Sequence, residues 1–93
     1  MTAADILLEA HGLITGPRQA EYSHPHDDYT KVIHIFEAMT GHRLGVEDAI
    51  MFMVAVKLAR LRTARERGLW KHDTLVDAIG YLGCLNMAHH PLD

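Results

Sequence analysis

A second cysteine is missing from this 93-residue chain, so Cys84 closes no intramolecular disulfide and the fold must rest on packing. Long apolar runs are missing too. The longest, Ala49 to Val56, has eight residues, against the roughly 20 that a membrane-spanning helix needs. Asp5 and Glu9 interrupt Met1 to Leu13, so a secretory signal is not expected either. There is no Asn-Gly hairpin dipeptide, and alternation of apolar and polar residues never persists, which leaves no convincing strand. No internal repeat or low-complexity tract is present. Basic charge is not in excess: the formal net charge is -3, which argues against a protein that coats nucleic acid or anionic lipid with its whole surface. What is there, 48% hydrophobic and 23% charged residues with only three prolines, is the composition of a folded globule. Its length makes residues 1–93 one helical domain.

Helical periods fill most of the chain. Thr2 and Asp5 have capping-box spacing, and Ile6, Leu7, Ala10 and Leu13 follow at helical intervals, predicting a first helix that ends near Gly12. Thr15 to His26 carries two prolines and a glycine without a sustained period and reads as a loop, with room for one helical turn after Pro17. Asp27 and Asp28 open a second helix through Tyr29, Val32, Ile33, Phe36 and Met39, which Gly41 closes. A third, of about six turns, runs from Glu47 and Asp48 to just before Gly68. Because Ala49 to Val56 is apolar on every side, this helix is expected to be central, contacted all round within the monomer or in an oligomer. Asp73 is placed to cap a fourth helix through Leu75, Val76, Ile79, Leu82 and Leu85 to about Ala88. The expected fold is all-α: a four-helix, bundle-like domain assembled as a symmetric dimer or tetramer.

Acids in apolar surroundings are the first chemical feature. Asp48 shares a stripe with Phe52, Ala55 and Ala59, and Asp77 one with Asp73, Gly80, Tyr81, Cys84 and Ala88. A carboxylate held away from water needs a cation, a hydrogen-bond network or a proton. Carboxylates on facing helices suit Mg²⁺, a hard ion that prefers oxygen ligands. Asp48 and Asp73 have a simpler explanation as first-turn helix caps, and Asp77 as the partner of an Arg or Tyr. Asp77 is the harder to dismiss, one turn inside an apolar helix. Beside it, Gly80, Gly83, Cys84 and Ala88 leave room for a flat ligand or, more commonly, for another helix.

The second feature is concentrated basic charge. Lys57 to Lys71 holds six basic residues against one acid, Glu66, whereas the other 78 residues hold three basic and eleven acidic ones. Lys57 and Arg60, in the apolar half, are candidates to contact phosphate; Arg62, Arg65 and Arg67 are accounted for by a helix's carboxyl end and a solvated face. The stretch lacks the aromatic interleaving and the helix-turn-helix signature of a nucleic-acid binder. His24-Pro25-His26 has no third ligand at a zinc spacing, and Cys84 sits in no nucleophile motif and reads as a buried structural thiol.

Five segments together resemble a small phage-encoded helical family. They are Leu7-Leu8-Glu9-Ala10, Gly16-Pro17-Arg18 with Tyr22, Val46-Glu47-Asp48-Ala49-Ile50 with Phe52-Met53, Lys57-Leu58-Ala59-Arg60-Leu61, and Asp73 with Asp77-Ala78-Ile79-Gly80-Tyr81. Such proteins look like remote relatives of the MazG-type all-α nucleoside triphosphate pyrophosphohydrolases. The resemblance implies Mg²⁺ on Asp48, Asp73 and Asp77, catalysis by Asp48, Asp77 and Lys57, and substrate contacts from Lys57, Arg60 and Tyr81. It also implies a homo-oligomer acting on the nucleotide pool in the host-cell cytoplasm; the short apolar runs argue against a membrane, and the net negative charge counts against a nucleic-acid partner. The chain departs from the MazG pattern, which has two glutamates three residues apart on the earlier helix: Met51 stands three residues after Asp48. A full acidic set would need Glu47, Glu37 or a neighbouring subunit. The alternative is a non-catalytic helical oligomer that binds a host protein or a nucleotide without turnover.

Overall fold

The computed structural model describes residues 1–16 and 24–90 and contains four helices in that span, with no strand among the described residues. They are α1 (Ala3–Thr15), α2 (Pro25–Thr40), α3 (Val46–Glu66) and α4 (His72–His89). The all-α expectation is borne out. The helical turn expected after Pro17 and the tail from Pro91 lie outside the described residues.

Each helix begins and ends for local reasons. Thr2 and Asp5 form the expected capping box: Asp5 N donates to Thr2 Oγ1 at 3.1 Å and Thr2 N to Asp5 Oδ2 at 2.9 Å. These bonds hold the Asp5 carboxyl below its ordinary pKa, the backbone bond from Thr2 contributing most. His24 caps α2 by accepting from His26 N through Nδ1 at 3.1 Å, with Pro25 in the first turn and Asp27 and Asp28 beside the helix's positive end. Gly41, at φ 75°, takes the left-handed conformation that stops α2, and Gly68, at φ 73°, does so just beyond α3.

Three boundaries correct the sequence reading. α1 does not end near Gly12 but runs to Thr15. A glycine costs about 1 kcal/mol in a helix, and the packing of Ile14 against α4 outweighs it. Both ends of the expected Thr15–His26 loop are helical instead, because Thr15 belongs to α1 and Pro25 and His26 to α2. Asp73 does not cap α4; Lys71 is the N-cap, without a side-chain bond, and Asp73 lies in the first turn.

α4 is the hub. It packs on α3 most extensively, on α1 next, and on α2, whereas α1 has its substantial packing on α4. Gly80 and Gly83 provide the close approach: a Cβ on Gly83 would stand 2.9 Å from Ile14 Cδ1, and one on Gly80 3.8 Å from Ile14 Cγ2. The small-residue seam therefore receives a helix. The core is thin and rich in alanine: Ala10, Ala49, Ala64, Ala78 and Ala88 are buried beside Ile50, Val54, Leu61 and Val76, and among the described residues Ile50 is the largest side chain fully enclosed. With extents of 39 × 31 × 20 Å, the molecule is about two helix diameters thick in its shortest direction.

The long helix is not contacted all round within one chain. Ile50, Val54, Leu61 and Ala64 face inward, while Met51, Phe52, Ala55, Leu58 and Ala59 face solvent. The apolar run thus serves two opposite faces, and only one meets the rest of the monomer.

Candidate functional site

The chemistry-bearing side chains gather along α4. Asp77, one turn inside the helix, points across to α3, where Lys57 Nζ donates to its Oδ2 at 3.0 Å. The two side chains are only 26% and 14% exposed, so water screens the pair weakly. The interior acid has found a basic partner, one of the arrangements its apolar surroundings required. One turn further along the same face stands Tyr81, next to Tyr29 of α2. Burial first, then Tyr81 through its charge and a hydrogen bond, then Cys84 and Asp28, raise Tyr29 far above the ordinary 10.0, so its hydroxyl stays protonated. Burial, followed by the charge of Asp28, likewise pushes the Cys84 thiol up from 9.0. Cys84 is held as a thiol, the wrong form for a nucleophile and the form expected of a structural cysteine.

The remaining candidates are dispersed. Asp48 is exposed and reaches back to the amino end of its own helix, accepting from Gly45 N at 3.2 Å. It precedes Lys57 by nine residues, about 13.5 Å along the helix axis, and α3 runs antiparallel to α4, so Asp48 is remote from Asp77. Asp73 is exposed and stands beside Glu9 and His72. The structure brings Lys57, Asp77 and Tyr81 to one interhelical seam and does not gather Asp48, Asp73 and Asp77 around one point. Mg²⁺ held by those three carboxylates does not fit this arrangement. The substitutes for the missing acid are engaged elsewhere: Glu37 accepts from Arg43 Nε at 3.4 Å, and Glu47 pairs with His89 Nδ1 at 2.6 Å. Arg60 is exposed, as are Arg62, Arg65, Arg67 and Lys71.

A family model described as a domain of unknown function, DUF6378, matches residues 5–89. The chain belongs to the DUF6378 family. The match runs from α1 to the last residue of α4 and therefore takes in the whole Lys57–Asp77 seam. Among curated relatives, the Gene 55 protein of Mycobacterium phage D29 is 29% identical over 80 residues, covering 86% of this chain and 50% of the relative. The Gene 55 protein of Mycobacterium phage L5 is 30% identical over 89 residues, covering 95% of this chain and 54% of the relative. The chain spans about half the length of the curated relatives it matches. Kinship with phage proteins, expected from the motifs, is borne out. No solved structure matches the chain significantly.

In this DUF6378 chain two further polar contacts, which sequence reasoning missed, tie α4 down at its ends. At the amino end His72 Nε2 donates to Glu9 Oε2 of α1 at 2.7 Å. At the carboxyl end His89 meets Glu47 at the start of α3. The partners are 63 and 42 residues apart, and no spacing rule connects residues that distant. Among the described residues, no helix is long and apolar enough to cross a membrane.

Proposed function

We propose that this chain is a non-catalytic helical oligomer that binds a host protein or a nucleotide without turnover. The observation that carries the reading is the Lys57–Asp77 ion pair: the interior carboxylate and cation that a phosphohydrolase would turn toward metal and substrate neutralise each other. Asp48 is engaged at a helix start, and Glu47, its neighbour on α3, is paired with His89.

Self-association is supported by surface. Large apolar side chains are left exposed on two helices: Met51, Phe52 and Leu58 on α3, and Val32, Ile35 and Met39, which recur at helical spacing on α2.

A Mg²⁺-dependent nucleoside triphosphate pyrophosphohydrolase is the second reading. It is favoured by the motif resemblance and by Asp73 and Asp77, one turn apart on α4. It requires Asp77 to leave Lys57 and further acids to come from a neighbouring subunit.

Two measurements test the proposal. Sedimentation velocity at micromolar concentration should show a dimer or larger assembly, and a monomer removes the oligomer. Pyrophosphate release should be absent across a panel of NTPs and dNTPs with millimolar Mg²⁺, and turnover that disappears in Asp77→Asn establishes the enzyme instead.

A further inference from the structure

Outside the Lys57–Asp77 seam, one cluster combines two kinds of metal donor. His72 and Asp73, in the first turn of α4, meet Glu9 of α1. His72 Nε2 and Glu9 Oε2 are 2.7 Å apart, and a carboxylate oxygen of Asp73 completes a triangle whose corners all lie within 4.8 Å of one another. Ligands bound to a four- or six-coordinate ion at about 2.0–2.2 Å stand about 3–3.5 Å from each other, inside that range.

We propose that Glu9, His72 and Asp73 bind a first-row transition-metal dication of the Zn²⁺ class, which clips α1 to α4. The imidazole excludes Mg²⁺ as the natural occupant, because hard ions prefer oxygen and nitrogen ligands favour the later metals. Two carboxylates balance the charge of the dication, and the exposure of Glu9 and Asp73 leaves coordination positions open to water.

Two observations independent of the triangle support the site. Asp73 has no other employment: it is not the N-cap of α4, and no described residue donates a hydrogen bond to it. The joint also needs fastening, since α1 has Ala10 as its buried residue, leaves Leu7 and Leu8 exposed, and packs chiefly on α4. Binding needs a lone pair on His72 Nε2, so the ring proton that now reaches Glu9 moves to Nδ1 or is lost to solvent.

The test is calorimetric titration of the purified full chain with ZnCl₂, with melting temperature as a second readout. Other histidines, His24, His26, His89 and His90, compete for zinc, so the variants decide. Expected are one zinc per chain with a raised melting temperature, a loss of at least tenfold in affinity in both His72→Gln and Asp73→Asn, and full retention in His89→Gln. Should His72→Gln not fold, Glu9→Gln, an exposed and nearly isosteric change, is read in its place. Affinity unchanged to within twofold in the cluster variants, or an equal loss in His89→Gln, overturns the site.

Discussion

The two faces of α3 have the same kind of composition and opposite fates. Ile50, Val54, Leu61 and Ala64 lie against the other helices, with Ile50 at 0% exposure, whereas Phe52, two residues from Ile50, is 66% exposed. Apolar character on both sides of a helix shows that both want cover, but it does not say from where. In this chain the inner face is satisfied by α4 and α2, and the outer one stays exposed.

The sharpest way to break this comparison is to shorten one side chain on each face. Ile50→Ala should cost about 2–5 kcal/mol in chemical denaturation, because it opens a cavity where nothing can collapse from solvent. Phe52→Ala should change the stability of the monomer by about 0.5 kcal/mol or less while weakening self-association in sedimentation. Equal effects on folding from both would show that the two faces are alike after all.

The ion pair at the edge of the inner face comes next. Asp77→Asn leaves Lys57 without its counter-charge in a weakly hydrated seam and should cost about 1–3 kcal/mol. Lys57→Met combined with Asp77→Leu removes both charges and should recover most of that loss. A metal role predicts something else for Asp77→Asn, a Mg²⁺-induced rise in melting temperature in wild type that vanishes in the variant.

Tyr29 offers a smaller, pH-resolved effect. The folded state holds its proton more tightly than the unfolded chain, so the associated stability is complete below the ordinary value of 10.0 and is lost as pH rises above it. Helix content followed by circular dichroism between pH 9 and about 12 should fall, and Tyr29→Phe should flatten part of that fall. The smallest expected change is a gain. A Cβ on Gly12 meets nothing within 4 Å, so Gly12→Ala should stabilise α1 by up to about 1 kcal/mol in thermal melts.

Much of the local structure was legible. The Thr2–Asp5 box, the acidic first turn of α2 and the stops at Gly41 and Gly68 each depend on residues within a few positions of one another, the range over which sequence reasoning works. The misreading of α1 has a tertiary cause: Gly12 is a local stop signal, but Ile14 packs into the seam at Gly80 and Gly83 and carries the helix through it. The apolar setting marks Asp77 as an acid that needs compensation, and its partner is Lys57 instead of the Arg or Tyr that the sequence suggests. Which kind of compensation it would find lay beyond the sequence, because a cation and a metal ion satisfy the same electrostatic demand.

The sequence by itself determined the helical class, the four helices of the described residues, and the Thr2–Asp5 and Gly41 caps, since these follow from 3.6-residue periodicity and from bonds that close within one turn. Only the tertiary structure decided that α4 and not α3 is the hub, that Asp77 turns to Lys57 while Asp48 turns back to Gly45, and that Glu9 meets His72 across 63 residues. The physical reason is that helix packing is set by the shape of whole surfaces. A glycine seam on α4 admits α1, and this one close approach carries Glu9 to His72.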